Sequence, residues 1–395
     1  MKKIVLAIDS FKGCLTSTEV EEAAAEGIRT VFPQCEVVRL PVADGGEGML
    51  EVLVAATKGQ SITIGAHGPL MEQQKARYGI SGDGQTAFIE MATISGLPLV
   101  PVKQRNPMLA TSYGTGELIF DALQRGCRNF IIGLGGSATN DAGLGMLQAL
   151  GFRFLDKDGN ELGSTTEDKK RNNTNRMCGQ LMLDVASVDH SSVHPALKES
   201  RFTAACDVEN PFYGFNGAAF VFAPQKGADM QMVKELDKGL EHLAKVIQKE
   251  TGKEISLYPG AGAAGGMGGG LLAFLNANLK PGIQLLLEIL NFKGQIRGAD
   301  FIITGEGKSD RQTLMGKVPL GILKEAQKQH IPVILLAGSV EDSELLNDAG
   351  FQGIFSITPS PLSLEQAMNP SSARTNIKRT VEQICRVLTI VRKLS

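Results

Sequence analysis

Residues 301–317, FIITGEGKSDRQTLMGK, decide how the rest of the chain is read. An apolar run followed by Gly-Lys-Ser imitates the end of a Walker A phosphate loop. That loop needs a glycine five positions before Gly307, and position 302 is Ile, so the motif fails. What remains is a buried strand that ends in a turn carrying Glu306, Lys308, Asp310, Gln312, Thr313 and Lys317.

Two more apolar strands follow it, in IPVILLAGSV and GFQGIFSITP, with a helical stretch LGILKEAQKQ between strands. The front of the chain has the same grammar. KIVLAID (3–9) reads as a strand, and Val20, Ala24, Ile28 and Val31 then recur at helical spacing. Thr18 and Glu21 predict a capping box for this helix, and Pro33 its end. CEVVRLPVA gives a second strand, followed by the loop DGGEG and the helix MLEVLVAAT. Two strands in front and three behind predict one five-stranded, doubly wound (flavodoxin-like) parallel sheet in an α/β fold. That domain would be discontinuous, 1–59 plus 286–395, and interrupted by an inserted mixed α/β domain over 60–285. The insertion opens with alternating, hairpin-like segments around Gly-Asp-Gly and continues into NFIIGLGGSATNDAGLGMLQAL, a strand, a glycine-rich loop and a helix. Its stretch 157–194 is polar and reads in part as an exposed loop.

The totals narrow the function classes. With 40 basic and 42 acidic residues the net charge is −2, which leaves no electrostatic footprint for nucleic acid. No segment offers the roughly 20 apolar residues of a membrane span. Asp9 interrupts the N-terminal apolar run too early for a signal peptide. The six cysteines are scattered without a Cys-x-x-Cys pair, and a cytoplasmic, reducing location is the expectation. Glycine is in excess, 46 of 395 residues, and clusters after apolar runs, where a backbone turns tightly or approaches a ligand.

Several of those loops place acids or hydroxyls at strand ends. DSFKG offers Asp9, Ser10 and Lys12; ADGGEG offers Asp44 and Glu47. The 133–143 loop, GLGGSATNDAG, fits a variant dinucleotide fingerprint, and PGAGAAGG (259–266) fits another. Both matches are weak without the full strand-helix-strand unit and its acid. Their physical content is free N–H groups suited to phosphate, with Asp141 as a possible cation ligand. The 301–317 turn fits phosphoryl transfer, which needs cations on phosphate oxygens, carboxylates for Mg²⁺ and an acid to orient the acceptor hydroxyl. Arg105, in RNPMLATSYGTGEL, could pair with a carboxylate or phosphate. His190 and His194 have zinc-like spacing but no third ligand, so solvated histidines are expected there. In each loop an ordinary cap or turn would use the same residues.

Taken together, DSFKGCLTS, PVADGGEG, SGLPLVP, RNPMLATSYGTGEL, GLGGSATNDAG, CDVENPFYGFNGAAFVFAPQKGA, PGAGAAGGMGGGL, FIITGEGKSDRQTLMGK and LAGSV resemble the bacterial type I glycerate kinase family, in that family's order from residue 9 to residue 340. Met49 and the polar run 163–179 depart from its pattern. The resemblance implies Mg²⁺- and ATP-dependent phosphorylation of D-glycerate, commonly to 2-phosphoglycerate, in a cleft between two domains. Asp310, Asp44 and Lys12 are then the catalytic candidates, with Asp310 as the base. Arg105, Ser10, Asp207 and Asn210 are expected to bind glycerate. Gly135, Gly136, Ser137, Asn140, Gly265, Gly266, Lys308 and Lys317 are expected at the nucleotide phosphates, and Asp141 and Glu306 at the metal. An NAD(P)-dependent hydroxy-acid dehydrogenase or a non-catalytic small-ligand receptor would be the alternatives. The spacing of residues leaves the phosphorylated oxygen and the oligomeric state open.

Overall fold

The computed structural model describes residues 1–43, 48–164 and 176–394. Asp44 and Glu47, and most of the polar run at 163–179, lie outside them. The chain divides into two compact units, Met1–Asp44 with Ile283–Ser395, and Gly45–Gly282.

Strands are counted here in chain order over the whole protein. The first unit holds β1 (Lys3–Ile8), β2 (Glu36–Arg39), β11 (Phe301–Ser309), β12 (Val333–Val340) and β13 (Gly353–Ser356). They form a single parallel sheet in the order β13-β12-β11-β1-β2, the flavodoxin-like arrangement expected from the sequence. The sheet is apolar because helices flank it: Ile4, Leu6, Ile8, Ile303 and Leu336 pack with Val20, Ala24 and Ile28 of the helix Ser17–Val31. Each such side chain contributes about 1.5–3 kcal/mol when fully buried. That helix meets the C-terminal helix Pro370–Leu394 closely. A Cβ on Gly27 would stand 2.5 Å from Lys378 O, so only glycine allows the approach.

One local expectation fails. The capping box of the first helix is Thr16 with Glu19, not Thr18 with Glu21. Glu21 lies a turn further in, fully buried, and accepts a hydrogen bond from Ile8 N at 3.3 Å. Burial holds its carboxyl well above the usual carboxylate range.

The second unit contains a six-stranded mixed sheet in the order β10-β9-β6-β5-β4-β3. Its members are β3 (Gln60–His67), β4 (Gln73–Ile80), β5 (Thr86–Glu90), β6 (Asn129–Gly133), β9 (Arg201–Ala205) and β10 (Asn278–Lys280). β3 to β5 pair antiparallel, and β5, β6, β9 and β10 run parallel. A small antiparallel pair, β7 (Arg153–Leu155) and β8 (Ser187–Asp189), lies apart. The helix Met49–Ala56, which the 1–59 boundary assigns to the split domain, belongs to this second unit and packs on β4 and β5. Leu50 and Val54 cover Gly79 of β4, where a Cβ would come within 2.8 Å and 2.4 Å of their methyls.

Candidate active site

The first unit gathers its polar residues at the carboxyl ends of β1 and β11, where the order of a doubly wound sheet reverses and ligands characteristically bind. Ile8 pairs with Gly305, and Asp9 N donates to Gly305 O at 3.0 Å, so the DSFKG loop leaves the sheet beside β11. A Cβ on Gly307 would lie 3.8 Å from Lys12 N. Ser10 and Lys12 are therefore neighbours of the 305–310 segment. The Gly-Lys-Ser sequence is not a loop at all. It continues β11, with Lys308 opposite Ser339 and Ser309 opposite Val340 in the parallel ladder. Its backbone is committed to the sheet and cannot wrap a phosphate.

Glu306 is buried at the end of this strand, and Oε1 accepts from Thr313 Oγ1 at 2.5 Å and Ser309 Oγ at 3.1 Å. Its Oε2 lies 3.5 Å from Lys317 Nζ. Asp310 caps the short 3₁₀ turn Arg311–Leu314: Oδ1 accepts from Gln312 N at 2.8 Å, while Asp310 N donates to Thr313 Oγ1 at 3.1 Å. Thr313 thus ties the turn back to the strand. Lys308 Nζ sits 3.0 Å from Glu341 and 3.5 Å from Asp310 Oδ2. The result is a preorganised set of two acids and two lysines on one strand end. Among the described residues there is no group of three metal-binding side chains. Mg²⁺, however, takes one or two carboxylates and completes its shell with water and phosphate oxygens. Glu306 and Asp310 supply that number.

The second unit has a cavity of about 360 Å³ at the carboxyl ends of β6 and β9. Leu97, Gly135, Gly136, Ser137, Asp207 and Lys226 are among its lining residues. The 133–143 loop is held there by Leu97 N donating to Gly136 O, Ala138 N to Ser95 O, and Leu134 N to Ala205 O. Asp207 Oδ1 accepts from Gly282 N at 2.8 Å. Lys226 is buried and donates to Ser137 Oγ and Thr139 O, both at 2.7 Å. Sequence reasoning missed it. A lysine in Pro-Gln-Lys-Gly looks like an exposed turn residue, and only tertiary packing encloses it.

Other expected residues have different duties. Asp141 is fully buried, and its two oxygens accept from Ser112 N, Ser112 Oγ, Gly143 N and Gly145 N at 2.7–3.2 Å. Four donors saturate it, so it fastens two loops and does not present a free edge to a metal. Gly265 and Gly266 do not line the cavity. With φ of +68° and +90°, they let the 260–268 segment press on the other glycine loop. A Cβ on Gly265 would lie 2.1 Å from Thr139 O, and Ala142 N donates to Gly265 O. The preceding Ala263 and Ala264 do line the cavity. Asn210 spends its amide on Asn216 O. Asn140 is fully buried, and neither polar atom of its side chain has a partner. Arg105 lies behind Gly227, and its Nε donates to Val100 O at 3.4 Å. Neither Arg105 nor Asn210 is among the cavity-lining residues. His190 and His194 form no metal pair; they stack edge-on against Phe152 and Phe120 respectively.

A strand end bearing paired acids and lysines, and a glycine-walled cavity with a buried lysine, describe a small-molecule phosphotransferase of the α/β class. The comparisons with known proteins agree. The model of the Glycerate kinase family matches residues 4–389. Glycerate kinase of Bacillus cereus is 46% identical over 98% of this chain and 97% of its own length. Glycerate 2-kinase of Escherichia coli is 46% identical over 98% of both. A crystal structure assigned as glycerate kinase 2 of Salmonella typhimurium LT2 superimposes with a TM-score of 0.88, at 40% identity, covering 99% of each chain. The chain belongs to the glycerate kinase family and is a kinase that phosphorylates an alcohol group.

Proposed function

We propose that the protein transfers the γ-phosphoryl group of ATP, presented with Mg²⁺, to the 2-hydroxyl of D-glycerate. The observation that carries the position of transfer is the near-full-length similarity to a relative named glycerate 2-kinase. The acids of the first unit supply the chemistry. A hydroxyl does not ionise unaided at neutral pH, and a positioned base contributes about 10²–10⁴-fold. Asp310 fills that role: its cap bond fixes the carboxylate, and the side chain keeps 16% of its surface open. Glu306 would hold the metal, which would supply positive charge to the phosphate. Lys317, Lys308 and Lys12 carry positive charge toward the transferred group, and Asp44, an acid outside the described residues, stays a catalytic candidate in this reading. In the second unit the N–H groups of Gly135, Gly136 and Ser137 receive an anionic group, while Arg105, which lies behind Gly227 and outside the cavity lining, is left without the carboxylate role expected of it. Ser10 and Asp207 serve the glycerate hydroxyls.

Use of ATP and six free cysteines suit the cytoplasm. Among the described residues no helix is long and apolar enough to cross a membrane. The test is ADP release with Mg-ATP and D-glycerate, run beside L-glycerate and NADH controls. Release that requires D-glycerate and the metal supports the reading; NADH oxidation without ADP release refutes it.

A further inference from the structure

The cavity of the second unit is lined by a buried lysine and a glycine-rich loop. Lys226 is 2% exposed, and its ammonium donates only to two uncharged acceptors, Ser137 Oγ and Thr139 O. Its third N–H has no acceptor among the described residues. The backbone N–H groups of Gly135, Gly136 and Ser137, on a loop that runs from the surface into the cavity wall, also have no protein acceptor among the described residues. Beside them, Thr139 Oγ1 and both side-chain atoms of Asn140 are buried without partners. Native interiors leave few such groups unmet, and each isolated one is costly.

The charges facing Lys226 do not resolve this. Asp141 acts on it through space, but four other donors already occupy that carboxylate. Asp207 lines the same cavity, with Oδ1 accepting from Gly282 N. Asp141's hydrogen-bond donors are backbone N–H groups and Ser112 Oγ, not the Lys226 ammonium. Burial pushes the two buried groups toward neutrality, Asp141 up and Lys226 down to about 7. A ligand that brings negative charge and several acceptor oxygens would satisfy the ammonium and the three amides together.

We propose that Lys226 and the N–H groups of Gly135 to Ser137 form an oxyanion seat, in which Lys226 is the charge-bearing ligand contact. The identity of the oxyanion rests on the kinase reading: it is a phosphate of the nucleotide or the carboxylate of the hydroxy acid. Either enters with the ammonium protonated, so binding weakens as pH rises and the free protein loses that proton.

Titration calorimetry on the full chain tests this with sulfate, ADP and D-glycerate at about pH 6.5 and 8.5, since sulfate keeps its charge over that range. The wild type should lose about 25-fold in sulfate affinity between the two. Lys226→Met should bind sulfate at least about tenfold more weakly at the lower pH and show no pH dependence. If ADP follows sulfate in both effects, the seat takes phosphate; if D-glycerate does, it takes the carboxylate. Wild-type-like affinities in Lys226→Met overturn the proposal. So does pH-independent sulfate binding by the wild type, a result that does not depend on the variant folding. The kinase reading fails separately, if no ADP forms with D-glycerate while Lys226-dependent sulfate binding persists.

Discussion

Replacing Lys226 by Met should stabilise the protein at neutral pH and destabilise it at high pH. The side chain titrates near 10.5 when free and at about 7 in the folded protein, held down by burial. Between those values the unfolded chain binds the extra proton, so stability rises with pH there. The penalty is fully present below about pH 7 and gone above about pH 10.5, and its full size is about 5 kcal/mol at about 1.4 kcal/mol per pH unit. Met fills a similar volume without charge but leaves Ser137 Oγ and Thr139 O without their donor. Those losses cost about 1 kcal/mol each. The net gain is then about 3 kcal/mol at pH 7 and vanishes near about pH 9. In calorimetry that is a rise of about 6–12 °C for the transition of the second unit at neutral pH, converting to a fall in alkaline buffer. A variant less stable than wild type at pH 7, or a difference that does not vary with pH, refutes the buried-cation account.

Other perturbations probe different parts of the structure. Gly265→Ala forces a side chain onto φ +68° and into Thr139 O at 2.1 Å, and should cost about 2–4 kcal/mol, read as a lowered Tm or lost soluble protein. Ser112→Ala removes one donor from Asp141 and the acceptor of Met146 N, and should lower stability by about 2 kcal/mol in denaturant titration. Asp310→Asn keeps an N-cap acceptor, so Tm should stay within a degree or two while kcat falls about 10²–10⁴-fold. Near-normal turnover would remove Asp310 from the base role.

The sheet of the first unit is legible in the sequence because a doubly wound parallel sheet writes its strands as short, uninterrupted apolar runs. KIVLAID and FIITG are such runs, and they pair side by side although separated by almost 300 positions. The failure of the Walker A pattern is legible too, and the ladder through Ser309 gives its physical basis. Capping could not be placed to the residue, because Thr16 with Glu19 and Thr18 with Glu21 satisfy the same spacing rule. Only the inward face of the helix decides between them. The domain boundary shifted because the helix Met49–Ala56 is apolar on the face that Gly79 receives, a partner invisible to local pattern. The acids look alike in the sequence, and the structure separates them: Asp310 is partly open at the turn, Glu306 is buried against Ser309, Thr313 and Lys317, and Asp141 is enclosed by four donors. Lys226 carried no local signal at all.

The most direct measurement is phosphorus NMR of the product made from Mg-ATP and D-glycerate. Transfer to O2 places phosphorus on a carbon bearing one hydrogen, and the account predicts a doublet from the new ester. A triplet, from phosphorus on the terminal CH₂, or the absence of any new ester while ATP persists, would contradict it.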